Sequence, residues 1–359
     1  MKKIVLIFVM FILVCLPVSA QQSEEQGNSS YYNKAESFAA EYGIDFKTLK
    51  ENPFDTLWNT ALSAVKKALT SPAKIFGRIT AILLLTSFIN LFSQDGSKQI
   101  VQLINAVTML VLFANVYDSL TVMISQTTER FIDVKNFMTA FLPVLAGFSF
   151  SSGEMVTSTL YTGFFMICVV TVANFSINYI VPSLNLFMAV GITASLSPAV
   201  NLKPLCDLYS KAVKIAMTAS VSVLCFVLTL QTAITQGQDN LAVKTGKAII
   251  GSAVPIIGSA LQSAVGSVYA SVGVLKGFFG LAGIVVIINI FLPSIVNLAA
   301  NWLGYYLMSA LGEVLENKTA AEILSVFKGV TEILLSMSVL FMVLLIFSMT
   351  ILIKTTQGV

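Results

Sequence analysis

The chain has 359 residues, 56% hydrophobic and only 11% charged, with a formal net charge of +3 and no histidine. A soluble domain carries roughly 25% charged residues to cover its surface. This composition, with a mean hydropathy of +0.85, therefore turns most of the surface toward lipid and predicts an all-α, polytopic membrane protein.

The missing histidine excludes Ser-His-Asp and Cys-His nucleophiles, HExxH zinc sites and histidine proton relays. The four cysteines, Cys15, Cys168, Cys206 and Cys225, show no CxxC spacing, and the last three lie in or beside apolar segments as small buried hydrophobes. The charge is too small and scattered for a nucleic-acid surface. No catalytic, cofactor-binding or metal-binding residues are expected.

Residues 1–20 read as a secretory signal. Lys2 and Lys3 form a positive start, Ile4 to Leu16 a short apolar run, and Val18-Ser19-Ala20 a small-residue cleavage site. Cleavage there leaves an extracytoplasmic N-terminus; an uncleaved signal anchor is the alternative. Residues 21–72 form an extracytoplasmic polar segment holding seven of the eighteen acids, and Gln21 to Ser30 reads as disordered. Asn52-Pro53-Phe54-Asp55 reads as a helix start, with Asn52 as cap and Pro53 in the first turn. Phe54, Leu57, Trp58, Ala61, Leu62, Val65 and Leu69 then recur at helical spacing, and Ser71-Pro72 is expected to end the run. This amphipathic helix suits either the membrane surface or a partner.

Residues 73–134 hold the first two transmembrane helices, within Ile75–Phe92 and Ile100–Ile124. Met155–Val181, Leu208–Ile234, Phe278–Ala300 and Ile323–Ile353 are further spans. Phe137–Ser152, Pro182–Val200, Ala248–Val274 and Trp302–Leu311 are shorter or broken by Pro and Gly, and read as re-entrant hairpins, half-helices or full spans. The total expected is about six to eight transmembrane helices.

The later part carries a probable internal repeat, 135–235 and 247–353. Ile177-Asn178-Tyr179-Ile180-Val181-Pro182-Ser183-Leu184-Asn185-Leu186 aligns with Ile288-Asn289-Ile290-Phe291-Leu292-Pro293-Ser294-Ile295 and, after one inserted residue, Asn297-Leu298. Upstream, Phe141-Leu142-Pro143-Val144-Leu145-Ala146-Gly147 resembles Ala253-Val254-Pro255-Ile256-Ile257-Gly258-Ser259. Pro143 and Pro182 are 39 residues apart, Pro255 and Pro293 38. Broken apolar segments at matching places in two halves point to a transport path. The candidate pathway or helix-break residues are Pro143, Gly147, Asn178, Pro182, Asn185, Pro255, Gly258, Asn289, Pro293 and Asn297. The amides either line a polar path or bond across helices to satisfy kinked backbone.

Ser259, Ser263, Ser267 and Ser271, with Gly273 and Gly277, form a small-residue face for helix packing; a glycine-lined pore is the alternative. Among ionisable residues in the apolar zone, Asp118 and Glu154 read as interfacial, and Glu332 is expected to pair with Lys328 four residues earlier.

The signal peptide, the short extracytoplasmic segment and the run Asn136-Phe137-Met138-Thr139-Ala140-Phe141-Leu142-Pro143-Val144-Leu145-Ala146-Gly147, with the Gly-Ser-Ala-rich segment around Pro255, resemble the stage III sporulation protein AE family of endospore-forming bacteria. The resemblance covers most of the chain. It implies a permease-like, multi-pass subunit of the channel complex joining mother cell and forespore, in the mother-cell-derived outer forespore membrane. The implied partners are membrane lipid, the other stage III A-operon membrane proteins, an ATPase subunit and a forespore partner across the intermembrane space (stage II protein Q). The family transfers no catalytic residues. A scaffold that conducts nothing and a stand-alone secondary transporter remain the other readings. The chain lacks a P-loop, since Gly246-Lys247-Ala248 has neither the leading Gly nor the Ser/Thr. ATP use therefore needs a partner.

Overall fold

A computed structural model describes residues 40, 53–92, 98–152, 158, 162–196, 204–222, 224–226, 229 and 258–354. The expected signal segment, Glu154 and Pro255 lie outside them. Every described element is helical: α1 Pro53–Phe92, α2 Lys98–Ser151, α3 Thr162–Phe175, a π-helical stretch Ser176–Ile180, α4 Val181–Leu196, α6 Gly258–Val314 and α7 Lys318–Lys354. We number as α5 the apolar helix Pro204–Phe226. Among the described residues, five helices are long and apolar enough to cross a membrane, and Ile75–Asn90 is a shorter apolar one.

Helix α1, described from Pro53, does not end at Ser71-Pro72 as expected but continues through Pro72 to Phe92, and the expected cap Asn52 lies outside the described residues. One proline removes one ladder bond; the apolar face beyond it docks on α6 and keeps the rod whole. Phe76 meets Tyr305 edge-on with centroids 5.4 Å apart. The broken segments are likewise continuous with their neighbours. Ile100–Ile124 and Phe137–Ser152 form one 54-residue helix containing Pro143. Ala248–Val274, Phe278–Ala300 and Trp302–Leu311 fall largely in the 57-residue α6, which contains Pro293. Before Pro182 the ladder widens by one residue, so the Val181 N–H donates to the Ser176 carbonyl. The chain passes its proline by a π-bulge rather than a break.

Side-chain contacts fix the directions. Thr86 with Thr108 makes α1 and α2 antiparallel. Phe131 with Phe291, and Phe148 with Phe279, sets α2 against α6. Phe291 with Phe341, and Tyr305 with Phe327, makes α6–α7 a long antiparallel hairpin. Phe187 stacks on Tyr209 and also faces Gly329, tying α4 to α5 and α7. The six rods α1, α2, α3–α4, α5, α6 and α7 therefore alternate in direction.

Candidate functional site

Three helices enclose a polar groove of about 230 Å³. α4 supplies its apolar wall, and α5 and α7 supply six charges: Asp207, Lys211, Lys214, Glu322, Lys328 and Glu332. Glycines bring the walls together, because a Cβ on Gly191 would stand 2.5 Å from Val326 Cγ1. Across the groove the Lys214 ammonium donates to Glu332 Oε1 at 2.6 Å. Lys328 stands 5.7 Å from the Tyr306 ring centre. Glu332 thus pairs with a residue on another helix, not with Lys328 as i,i+4 spacing predicts. Lys328 reaches toward the α6 ring instead, leaving the carboxylate to α5.

A second polar cluster lies on α6, one turn past Pro293. The Asn301 amide donates to the Asn297 carbonyl and side-chain oxygens at 2.8 and 3.0 Å. Both donor hydrogens are then used, and the buried Asn301 Oδ1 has no partner. The Trp302 indole N–H is also buried without a partner. The Tyr305 hydroxyl lies next to Ser119 of α2 without a well-formed hydrogen bond. A buried unpaired polar group costs about 1–3 kcal/mol, so this cluster is suited to a polar guest or water. The α6–α7 register sets Glu332 level with Asn301, so groove and cluster share one height on either side of α7.

The sequence-derived candidates fall in several environments. Asn178, Pro182 and Asn185 are exposed; Asn289, Pro293 and Asn297 are half-buried, and Asn297 alone joins the cluster. Pro143 is exposed and Gly147 half-buried on α2. Gly258 opens α6. On the small-residue face, the Ser259 and Ser263 side chains lie outside the described residues, Ser267 is exposed, and Ser271 and Gly273 are half-buried. The Ser271 hydroxyl donates to the Ser267 carbonyl at 3.0 Å. Gly277 faces open space, whereas Gly280, Gly283 and Gly304 are pressed by Ile353, Phe141 and Phe76. Helix packing within the chain therefore uses glycines beyond those the serine spacing marks.

Residues the sequence reading missed are Lys211, Lys214, Asn301 and the fully buried Lys276. Two lysines three residues apart in an apolar span were a legible signal. Among the described residues no group of three or more His, Cys, Asp or Glu is placed to hold a metal.

A family model described as Stage III sporulation protein AE matches residues 44–358. A similar curated protein, "Stage III sporulation protein AE" of Bacillus subtilis (strain 168), is 23% identical over 201 residues, covering 56% of this chain and 50% of that protein. The match thus spans about half the relative's length. No solved structure matches the chain.

Proposed function

Because the chain belongs to the stage III sporulation protein AE family, we propose that it is the membrane-embedded, permease-like subunit of a multiprotein transport channel between mother cell and forespore. Family membership ties it to sporulation and to a multi-pass membrane setting. The observation that carries the conducting reading is the shared height of the charged groove and the Asn297–Asn301–Trp302 cluster. Together they make a polar belt at one end of the charge-free 333–353 stretch of α7, where the mouth of a pathway would open. The repeat read from the sequence, 135–235 and 247–353, belongs to the same proposal. Pro182 and Pro293 sit on rods of the same direction, each followed by an antiparallel helix, whereas Pro143 lies on a separate rod, α2, and Gly258 on the same rod as Pro293.

In this reading the N-terminus is extracytoplasmic, the membrane is the outer forespore membrane, and energy comes from an ATPase partner. The other stage III A-operon proteins and a forespore protein complete the complex. One observation favours a non-conducting scaffold: Asn178 and Asn185 face outward, where their amides suit a partner helix. Cysteine substitution decides between the two. In assembled membranes, Asn297→Cys in the cluster and Ser210→Cys, which lines the groove on α5, are expected to react with small water-soluble thiol reagents. Protection at both, with the complex still co-purifying from sporulating cells, would leave the scaffold.

A further inference from the structure

The charged groove lies where the helices that form it leave an apolar layer. α5 and α7 run in the same direction, since Lys214 meets Glu332 and Ser210 Oγ lies 3.9 Å from where a Cβ on Gly329 would stand. Past the Lys214–Glu332 pair neither sequence carries charge for a long stretch: α7 has none before Lys354, and the run after Lys214 has none before Asp239. The α7 run is ~31 Å long at 1.5 Å per residue, the thickness of a bilayer's hydrocarbon core. α4, the third wall, has no charge along its length. On this side of the bundle the ion pair marks the edge of the hydrocarbon, and the rest of the groove opens into the headgroup layer.

Outward from that edge the charges are sorted by sign. Lys211 and Lys328 stand ~4.5 and ~6 Å out along their helix axes, and Asp207 and Glu322 ~10 and ~15 Å out. A headgroup layer is about 5–7 Å thick on each face, so the lysines lie within it and the carboxylates beyond its outer rim. Lys214 and Glu332 neutralise each other. Among the described residues, Asp207, Lys211 and Glu322 have no ion-pair partner. Inward of Lys211, Ile215 and Phe226 are 69% and 63% exposed on the same face of α5, so the cation stands directly above apolar surface.

Resting on the reading of this chain as a membrane-embedded subunit, we propose that the groove between α4, α5 and α7 holds the headgroup of a zwitterionic phospholipid with a primary ammonium, a phosphatidylethanolamine. Its phosphate falls level with Lys211 and Lys328, which donate charge-assisted hydrogen bonds to it. Its terminal ammonium turns outward and donates to Asp207, with Glu322 beyond. The acyl chains run inward over Ile215 and Phe226. The order of the charges selects this headgroup. Phosphatidylglycerol has no ammonium and leaves both carboxylates unmatched, and the choline of phosphatidylcholine has no N–H to donate.

The test uses the full chain purified in detergent and native mass spectrometry. Phosphatidylethanolamine, phosphatidylglycerol and phosphatidylcholine with the same acyl chains are added in turn. The chain is expected to retain phosphatidylethanolamine several-fold more than either other lipid. Lys211→Gln is expected to lower that retention several-fold, and Lys211→Arg to keep it. Asp207→Lys combined with Glu322→Lys is expected to turn the preference to phosphatidylglycerol. Asp207, Lys211 and Glu322 are all exposed, so these variants leave the packed bundle intact. Equal retention of the three lipids, or an unchanged preference in the Asp207→Lys, Glu322→Lys chain, overturns the proposal. Displacement of the lipid by inorganic phosphate assigns the site to a free anion and overturns it as well. Thiol labelling of Asn297→Cys in assembled membranes reads the conducting function separately, so the two readings fail independently.

Discussion

Lys214 and Glu332 stand 118 residues apart in the chain and 2.6 Å apart in space. Their ion pair is a polar link between α5 and the α6–α7 hairpin. Each side chain is about one-third exposed (33% and 32%), so screening leaves it about 1 kcal/mol. Lys214→Met and Glu332→Gln are each expected to lower the thermal midpoint of the detergent-solubilised protein by about 2 °C. The exchanged pair Lys214→Glu with Glu332→Lys is expected to recover most of the loss. Two single losses that simply add in the double variant would show that the pair contributes nothing.

Gly304 and Gly277 lie on the same helix and predict opposite outcomes. The Phe76 ring occupies the space where a Cβ on Gly304 would sit, while Gly277 faces open space. Gly304→Ala is expected to destabilise by about 1–3 kcal/mol through overpacking. Gly277→Ala gains up to ~1 kcal/mol of helix propensity. Thermal unfolding of both variants checks the contrast, and Phe76→Leu should relieve the first.

The α6–α7 turn depends on two neighbouring residues. Glu316 has a left-handed φ of 55°, and the buried Asn317 side chain accepts from the Ala320 N–H at 3.1 Å. Asn317→Ala is expected to cost about 1 kcal/mol as a lost cap. Glu316→Gly is expected to stabilise by about 0.5–1 kcal/mol, because glycine adopts this conformation without a Cβ penalty. Equal midpoints for both variants would contradict the turn geometry.

Phe131 is fully buried between Phe291 and Phe341. In lipid the hydrophobic drive between helices is lost and packing carries association. Phe131→Ala therefore acts through the cavity it leaves, with an expected cost of about 3 kcal/mol. Phe131→Leu should retain more than half of that packing. Differential scanning fluorimetry in one detergent compares the two, and similar midpoints for wild type and Phe131→Ala would refute the contact.

Much of the protein was legible in its residues because the signals are local. An 11% share of charge and long apolar runs determine an all-α membrane class, since a spanning helix satisfies its own backbone. The apolar spacing from Phe54 to Leu69 marked the helical character of α1, because helical periodicity is read within one segment. Asn297 was found through its proline motif.

Other features were decided only when helices met. Prolines 72, 143 and 293 signal breaks in the sequence, yet each lies inside one continuous rod. The cost of a missing hydrogen bond is local, and the packing that outweighs it comes from distant helices. Glu332 had a partner available at i,i+4, but the approach of α5 beside Gly329 gave it Lys214. The polar belt exists for the same reason: Asn301, Lys214 and Glu332 reach one height only through the α6–α7 register. Sequence fixes what each helix is made of, whereas side-chain contact between helices far apart in the chain decides which of its polar residues come together.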